Sequence, residues 1–519
     1  MTLAEAIASS PKPARKVLAA VAQERDFLLA ERARLERELQ LQREKMRLAL
    51  LARFGRRGEA LDESQALLLA EEPAVSEAEV EKEASLPEPQ KKVSPARRSH
   101  PGRAELPASL PRIEEVVQVE GEERLCPCCG KERCVIGHET KEELEVRPPE
   151  YWVRVIKREK LACREHPEGG VGVAPAGGSK IVPKGKLSDR VLVDVTLKKF
   201  CDHQPLYRQE AGFLRDFGLE IPRQTLCDGV MAVGRLLEAV AGAMRQDLLR
   251  GGYIQADETP VGVQSDRTRG RNHCGFQWQY SRPGGPVVFD FQMSRAREGP
   301  RRWLEGYGGI LQTDGYAGYD KVGGAGMIRA ACWAHVRRKF VEAVKLDPTN
   351  EPAREVVEHI GRIYAVESRA REGRLSAAQR LELRREQSAP EVEALRERLV
   401  EIRSQILPGC KLAEACNYAQ GQWPRLVKFL EHGELEIDNN WAENAMRPVA
   451  LGRKNWLHIG DEKAGPRIAA ILSVIETCRR LKIPVRDYLL DVLPRLGEWP
   501  ANRVAELTPA AWAASRAAA

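Results

Sequence analysis

Apolar residues recur along this chain with a period that changes from segment to segment, and the changes mark its parts. From Lys16 to Arg53 there is no proline or glycine, and Val21, Leu28 and Leu35 fall seven residues apart, with Leu39 and Met46 continuing a neighbouring row. That spacing predicts one long helix with an apolar seam, suited to a coiled-coil dimer or to docking on the protein's own surface. From about Glu71 to Glu123 the periodicity is lost. Pro73, Pro87, Pro89, Pro95, Pro101, Pro107 and Pro111 stand among Glu, Lys and Arg, so this stretch reads as a disordered linker. Helical spacing returns over residues 186–250 with a break at Gly218 and Pro222. There Pro222, Arg223, Gln224, Thr225 and Leu226 resemble the turn into the second helix of a helix-turn-helix, which would offer Arg and Gln to base edges.

Beyond Gly252 short apolar runs predict strands at Tyr253 to Val263, Gly275 to Tyr280, Val287 to Met293 and Gly309 to Thr313. Arg295 to Tyr307 and Trp333 to Lys345 read as helices. A long charged helical region, roughly residues 350 to 432, has the form of an insertion. A polar turn at Asp438 to Asn440 follows, then a helix from Trp441 to about Arg447. The expected organisation is multidomain α+β. It comprises an N-terminal helix (1–62), a charged proline-rich linker (63–122), a cysteine-rich module (123–172) and a helical module (173–250). After these come the first part of an α/β core (251–348), a helical insertion (349–432), the rest of the core (433–500) and an alanine-rich tail (501–519).

A chain of 519 residues is too long for one core, in keeping with this division. The 82 Lys and Arg against 75 Asp and Glu give a net charge of +7, too mild to identify a nucleic-acid partner without local clustering. The basic knot Arg97, Arg98 and Arg103 in the linker is one such cluster. No run approaches the length of a membrane span and no apolar secretory segment opens the chain, so the expected location is cytoplasmic. In that reducing compartment the 12 cysteines suggest metal ligands before disulfides. Cys126-Pro-Cys-Cys129-Gly and Cys163-Arg-Glu-His166 form two knuckles that can set four ligands tetrahedrally around zinc, and Cys126, Cys129, Cys163 and His166 are assigned to it. Four protein ligands leave no open position, so the ion would be structural.

The acids point to chemistry. Asp257 closes the run Tyr253, Ile254, Gln255, Ala256, and Asp314 stands just past Leu311, Gln312, Thr313. Adjacent parallel strands would bring the two together, and Glu443 could arrive from a helix. Such carboxylates make a hard oxygen cage for two magnesium or manganese ions, which stabilise both oxygens of an in-line phosphoryl displacement. Glu258, on the opposite strand face, and Asp320 are less well aimed. Cations lie close by: Arg447 shares a helix face with Glu443, Arg453 and Lys454 come after Pro448, and Arg337, Arg338 and Lys339 open the helix after Cys332. These six are candidate phosphate contacts. His335, at a strand-helix junction, reads as a packing residue.

The strings ADETPVGV (256 to 263), QTDGYAGYD (312 to 320), CWAHVRRKF (332 to 340) and IDNNWAENAMRPVALGRKNWL (437 to 457) resemble the IS66 family of bacterial insertion-sequence transposases, as do RFGRRGEAL (53 to 61), CPCCG (126 to 130) and DHQPLYRQ (202 to 209). The resemblance implies a DDE-type transposase with a ribonuclease H-like core, whose acids fall on Asp257, Asp314 and Glu443. It further implies a leucine-zipper-like and DNA-binding N-terminal region, a zinc module, and accessory proteins from the same element. The family pattern usually has a second Cys where this chain has His166. On this reading Asp257 bridges both ions while Asp314 and Glu443 each hold one. The partners are element ends and target DNA, the protein is a homo-oligomer, and it works on the bacterial nucleoid. A non-catalytic zinc-containing DNA-binding protein and a nuclease without strand transfer are the alternatives.

Overall fold

In the computed structural model, residues 12–54, 128, 150–162, 171–173, 179–183, 185–265 and 271–517 are described. The chain falls into two compact units, one of residues 88–176 and the other of 1–87 with 177–519. In the smaller unit strands β1 (Lys160–Ala162) and β2 (Val171–Val173) pair antiparallel. All four assigned zinc ligands, Cys126, Cys129, Cys163 and His166, lie outside the described residues, as do the linker and its basic knot.

The larger unit begins with helix α1 (Lys12–Phe54), the one expected from the unbroken heptads. Its second half docks through polar contacts: Gln40 Nε2 donates to Asp347 at 3.3 Å, and Glu44 Oε1 accepts from the Lys411 amide at 2.7 Å. The apolar seam takes no part in this. Val21, Leu28, Leu35, Leu39 and Met46 all remain exposed. The helical module then folds as α2 (Asp189–Phe200), α3 (Leu206–Phe217) and α4 (Arg223–Arg250). Gly218 ends α3 at φ +64°, a conformation glycine adopts without steric cost, and Pro222 caps α4. One side of α4 is buried from Leu226 to Leu248, so α4 is a spine of the fold. Arg223, Gln224 and Thr225 are exposed in its first turn.

Strands β3 (Tyr253–Val263), β4 (His273–Ser281), β5 (Val287–Gln292), β6 (Ile310–Thr313), β7 (Ile328–Ala331) and β8 (His458–Ile459) make one mixed sheet. The order is β5-β4-β3-β6-β7, with β8 against the end of β3. β4 is antiparallel to both its neighbours, while β3, β6 and β7 run parallel. The edge strand β5 is closed by helix α12 (Ala464–Arg480): the Val287 amide donates to Thr477 Oγ1 at 2.9 Å and the Phe289 amide to Ser473 Oγ at 2.8 Å. On one face Trp278 and Tyr280 of β4 pack edge-on to Tyr319 and flat on Trp303.

Helix α5 spans only Glu298–Trp303, shorter than expected, since Gly306, Gly308 and Gly309 leave little to hold a further turn. β7 was not foreseen: four residues interrupted by Arg329 carry no alternation to read. After β7 come α6 (Trp333–Leu346) and the insertion, folded as α7 (Glu351–Glu372), α8 (Ala377–Leu383), α9 (Ala389–Gln405) and α10 (Lys411–Leu426). Helix α11 (Asn440–Trp456) runs straight through Pro448, where the sequence predicts a stop. Proline at that position forfeits a single backbone bond, and buried Ala442, Ala445, Met446, Val449 and Gly452 hold both halves on one face. The alanine-rich end is not a loose tail: α13 (Val485–Leu496) and α14 (Pro509–Ala517) pack through Tyr488 and Trp512, whose rings lie 5.5 Å apart.

The insertion is anchored by one buried cation. Arg384 is fully buried; Nε and Nη2 donate to the Glu367 carboxylate at 2.6 and 2.8 Å, and the guanidinium also reaches the carbonyls of Phe429, His432 and Leu435 at 2.8 to 2.9 Å. Removing Arg384 leaves three carbonyls without that donor and Glu367 with only Arg380, at 3.3 Å, in a low-dielectric interior. Arg384→Met is therefore expected to lower the unfolding free energy by about 3–5 kcal/mol. In urea titrations the double variant Arg384→Met/Glu367→Met should lose less than Arg384→Met alone, because the fully buried carboxylate is removed with its main partner.

Candidate functional site

The two strand acids owe their meeting to register. On parallel strands β3 and β6 the last paired residues are Gln255 and Gln312, and two positions beyond each, on the same face, come Asp257 and Asp314. The two glutamines are fully buried and serve as the fastening of the site. Gln255 Nε2 lies 2.9 Å from Gln312 Oε1 and 2.9 Å from the Asp438 carbonyl, while its Oε1 accepts the Ala442 amide at 3.2 Å. Gln312 Nε2 donates to the carbonyls of Glu436 at 2.8 Å and Ala331 at 3.2 Å. Tyr253 hydroxyl donates to Gln312, and Asn439 Nδ2 donates to the Ala256 carbonyl at 3.1 Å. These bonds lay the segment 436–442 across the ends of β3 and β6. The first turn of α11, which carries Glu443, starts there.

Each acid has its own setting. Asp257 Oδ1 accepts the Glu258 amide at 2.9 Å. Burial, and then the charges of Glu443, Glu258 and Asp314, push its carboxyl well above the usual range. After Asp314 the chain turns at Gly315 (φ +94°), so the Tyr316 amide returns to Asp314 Oδ1 at 2.8 Å, while Tyr418 hydroxyl donates to the Asp314 carbonyl at 2.5 Å. Glu443, with its side chain 12% exposed, faces Arg338 Nη2 at 3.3 Å and His335 Nδ1 at 3.5 Å. Glu258 points to the other face, as expected, where it accepts from Arg295 at 2.6 Å and Tyr319 at 2.9 Å. Asp320 is engaged by Arg329 at 3.0 Å and Arg425 at 2.8 Å.

Among the described residues the tightest ligand-like group is Cys332, His335 and Glu443, whose donor atoms all lie within 4.8 Å of one another. Asp257 and Asp314 do not join it, although their charges act together with that of Glu443. His335, read from sequence as a packing residue, stands against the third acid. Burial holds its imidazole below the ordinary value, against the opposing pull of Glu443. His335 Nδ1 and Glu443 Oε1 are both buried without a hydrogen-bond partner, so one carboxylate oxygen and one imidazole nitrogen with orphaned lone pairs fit a divalent cation at this place.

The expected phosphate contacts divide. Arg338 pairs with Glu443, and Lys339 sits 4.7 Å over the Tyr418 ring. Arg337 is half-buried beside them. Arg447 Nη1 donates to Asn444 at 3.2 Å on the Glu443 face of α11, and exposed Lys454 continues that face, roughly 16 Å along the axis from Glu443. Arg453 is spent elsewhere: its guanidinium donates to the Pro260 carbonyl on β3.

Residues 184–467, more than half the chain and including all three acids, match the Transposase IS66 family. The chain belongs to the IS66 transposase family. Two further matches in this family member are the zinc-finger binding domain of transposase IS66 at residues 123–165 and the domain described as Transposase C of IS166 homeodomain at residues 41–114. The first takes in Cys126, Cys129 and Cys163 and stops one residue short of His166. These are the domains of an insertion-sequence transposase that binds DNA, with a zinc-finger module. The IS66 chain is also similar to three uncharacterized proteins of Sinorhizobium fredii. It is 32% identical to y4qI over 85% of this chain and 84% of that one, 31% identical to y4hP over 81% and 79%, and 31% identical to y4jD over 79% and 82%. No helix among the described residues of this IS66 protein is long and apolar enough to cross a membrane.

Sequence reasoning passed over the amide fastening of this IS66 site, although its signal is visible: Gln-Ala-Asp at 255–257 and Gln-Thr-Asp at 312–314 repeat one spacing. It also passed over Asp438, 6% exposed at the start of α11, whose carboxyl burial pushes up to about 6 even though Arg371 and the Asn440 amide pull it down. A carboxyl raised in the folded state stabilises fully below the unfolded value near 4, and that stability is lost as pH rises through about 6. Asp438→Asn keeps the acceptor and removes the charge, so it should gain on the order of 2–3 kcal/mol at pH 7. Urea unfolding between pH 4 and pH 8 should show that gain shrinking to nothing at the acid end.

Proposed function

We propose that this protein cleaves the ends of its element and joins them to target DNA at a single site, with two divalent cations, magnesium or manganese, held by Asp257, Asp314 and Glu443 in a ribonuclease H-like core. The observation that carries this is the parallel register of β3 and β6, which sets Asp257 and Asp314 each two residues past a paired glutamine, with α11 starting across their ends. Carboxylates from β3, from the turn after β6 and from α11 act on one another where burial already penalises charge, and Asp257 bears the sum. Such convergence is costly unless cations offset it. The strand order β5-β4-β3-β6-β7 supports the ribonuclease H-like description, with Asp257 on the central strand and Asp314 just past its parallel neighbour.

Paired divalent cations at such a site stabilise charge on both the attacking and the leaving oxygen of an in-line phosphoryl displacement. The protein's own part is placement. Asp257 is fixed by the Glu258 amide, Asp314 by its turn, and Glu443 by the helix start that Gln255 and Asn439 hold down. Arg338, partly exposed and 3.3 Å from Glu443, would present its guanidinium to a phosphate oxygen beside that acid. Arg337, Lys339, Arg447 and Lys454 extend the positive edge along α6 and α11, and Arg453 anchors α11 to β3.

Asp257→Asn, Asp314→Asn and Glu443→Gln are each expected to cut magnesium-dependent cleavage and strand transfer by roughly 10³-fold or more while end binding persists. Full activity in any one of them removes that residue from the mechanism. Detection of joined products separates a transposase from a nuclease that only hydrolyses.

Zinc held by Cys126, Cys129, Cys163 and His166 would shape the smaller unit for binding to element ends. Cys126→Ser should then raise the dissociation constant for end DNA about tenfold or more while releasing zinc. Normal end binding by zinc-depleted protein would give the module another role. The exposed seam of Val21, Leu28 and Leu35 supports pairing of α1 with a second copy, and proteins of the same element are further partners.

A further inference from the structure

The sequence Cys332-Trp-Ala-His335 has the same two-residue gap as the zinc knuckle Cys163-Arg-Glu-His166, yet it opens a helix in the core. The start of α6 and the start of α11 meet here. His335 Nδ1 and Glu443 Oε1 lie 3.5 Å apart with side chains 22% and 12% exposed. Neither atom has a hydrogen-bond partner, although each is shielded from solvent. An unpaired buried polar atom costs about 1–3 kcal/mol, so two facing one another need an explanation. A shared proton is a poor one, because such bonds run at about 2.7–3.2 Å. Two ligands of one cation do explain it: bonds of about 2.1 Å at right-angled to tetrahedral geometry set their donor atoms roughly 3–3.5 Å apart.

We propose that His335, through Nδ1, is a further ligand of the cation held by Glu443. The inference rests on the reading of Glu443 as a cation ligand. Cys332 forms a wall of the pocket and is not a ligand. Its sulfur is already engaged, accepting the Asn439 amide at 3.2 Å. The two cation positions then differ in kind. The one at Glu443 mixes nitrogen with oxygen and favours manganese over magnesium, whereas the one between Asp257 and Asp314 has oxygen ligands from the protein.

The test uses the full chain, purified with zinc, and manganese as the probe. Electron spin-echo spectroscopy of the manganese-loaded protein should show coupling to a histidine nitrogen that disappears in His335→Gln, with the affinity of that manganese falling about tenfold. His335→Asn serves in the same way should the glutamine variant fail to fold, and the wild-type spectrum alone is decisive if it is empty. Wild-type manganese binding that requires Glu443 but shows no histidine coupling, or coupling that persists in His335→Gln, overturns the assignment of His335 and leaves the proposed site standing. Manganese binding indifferent to both Glu443→Gln and Asp257→Asn overturns the proposed site, and this inference with it.

Discussion

The site depends on two buried side-chain amides. Gln255 and Gln312 sit opposite each other on parallel strands where an apolar sheet face would ordinarily place Val or Ile, and they bond each other and the chain that crosses above them. A primary amide can do this where an aliphatic side chain cannot, because it both donates and accepts while staying neutral. The backbone of 436–442 needs partners once it is pressed on the sheet, and each half-satisfied group would cost more than the bond is worth. The fastening is therefore all or nothing. It fixes the level of Asp257 against Asp314 and the point at which α11 begins, and so the distance at which Glu443 arrives.

The helical insertion belongs to the same argument. Between α6 and α11 the chain leaves the sheet for α7 to α10 and must return to a place set within an ångström or so. Arg384 gathers the carbonyls of Phe429, His432 and Leu435, and Glu436 is gripped by Arg371 and Arg380 at about 3 Å. The insertion thus clamps the segment just before the amide fastening takes hold of it. Its core, with Trp333, Phe340, Ile360, Leu395 and Phe429 fully buried or nearly so, continues into Tyr253 and Ile310 of the sheet. An insertion packed this way positions the third acid as surely as a short loop would.

Much of this was legible in the residues. The strands β3 to β6, the charged helical stretch between α6 and α11 and the helix bearing Glu443 followed from period changes, whereas the choice of Asp257, Asp314 and Glu443 among many acids leaned on the family resemblance. What was missed has physical causes. β7 is too short to show alternation. Pro448 carries the usual sign of a helix end, and the packing of α11 on β3 and β4 outweighs it. The role of His335 depends on α6 and α11 meeting, more than a hundred residues apart in the chain, and no local pattern encodes that. Arg453, placed by sequence among the phosphate contacts, turns out to anchor β3 for the same reason.

Charge is distributed here in a way that separates holding the fold from working on DNA. Glu258, Asp320, Glu367 and Glu436 each have an arginine partner and stay on the structural side. Among the described residues Asp257 has no arginine partner, only the Glu258 amide, and three other carboxylates push its own carboxyl up. A folded chain tolerates such a group where burial elsewhere is ample. Glu443 stands between the two classes, paired with Arg338 at 3.3 Å through one oxygen and left without a hydrogen bond at the other.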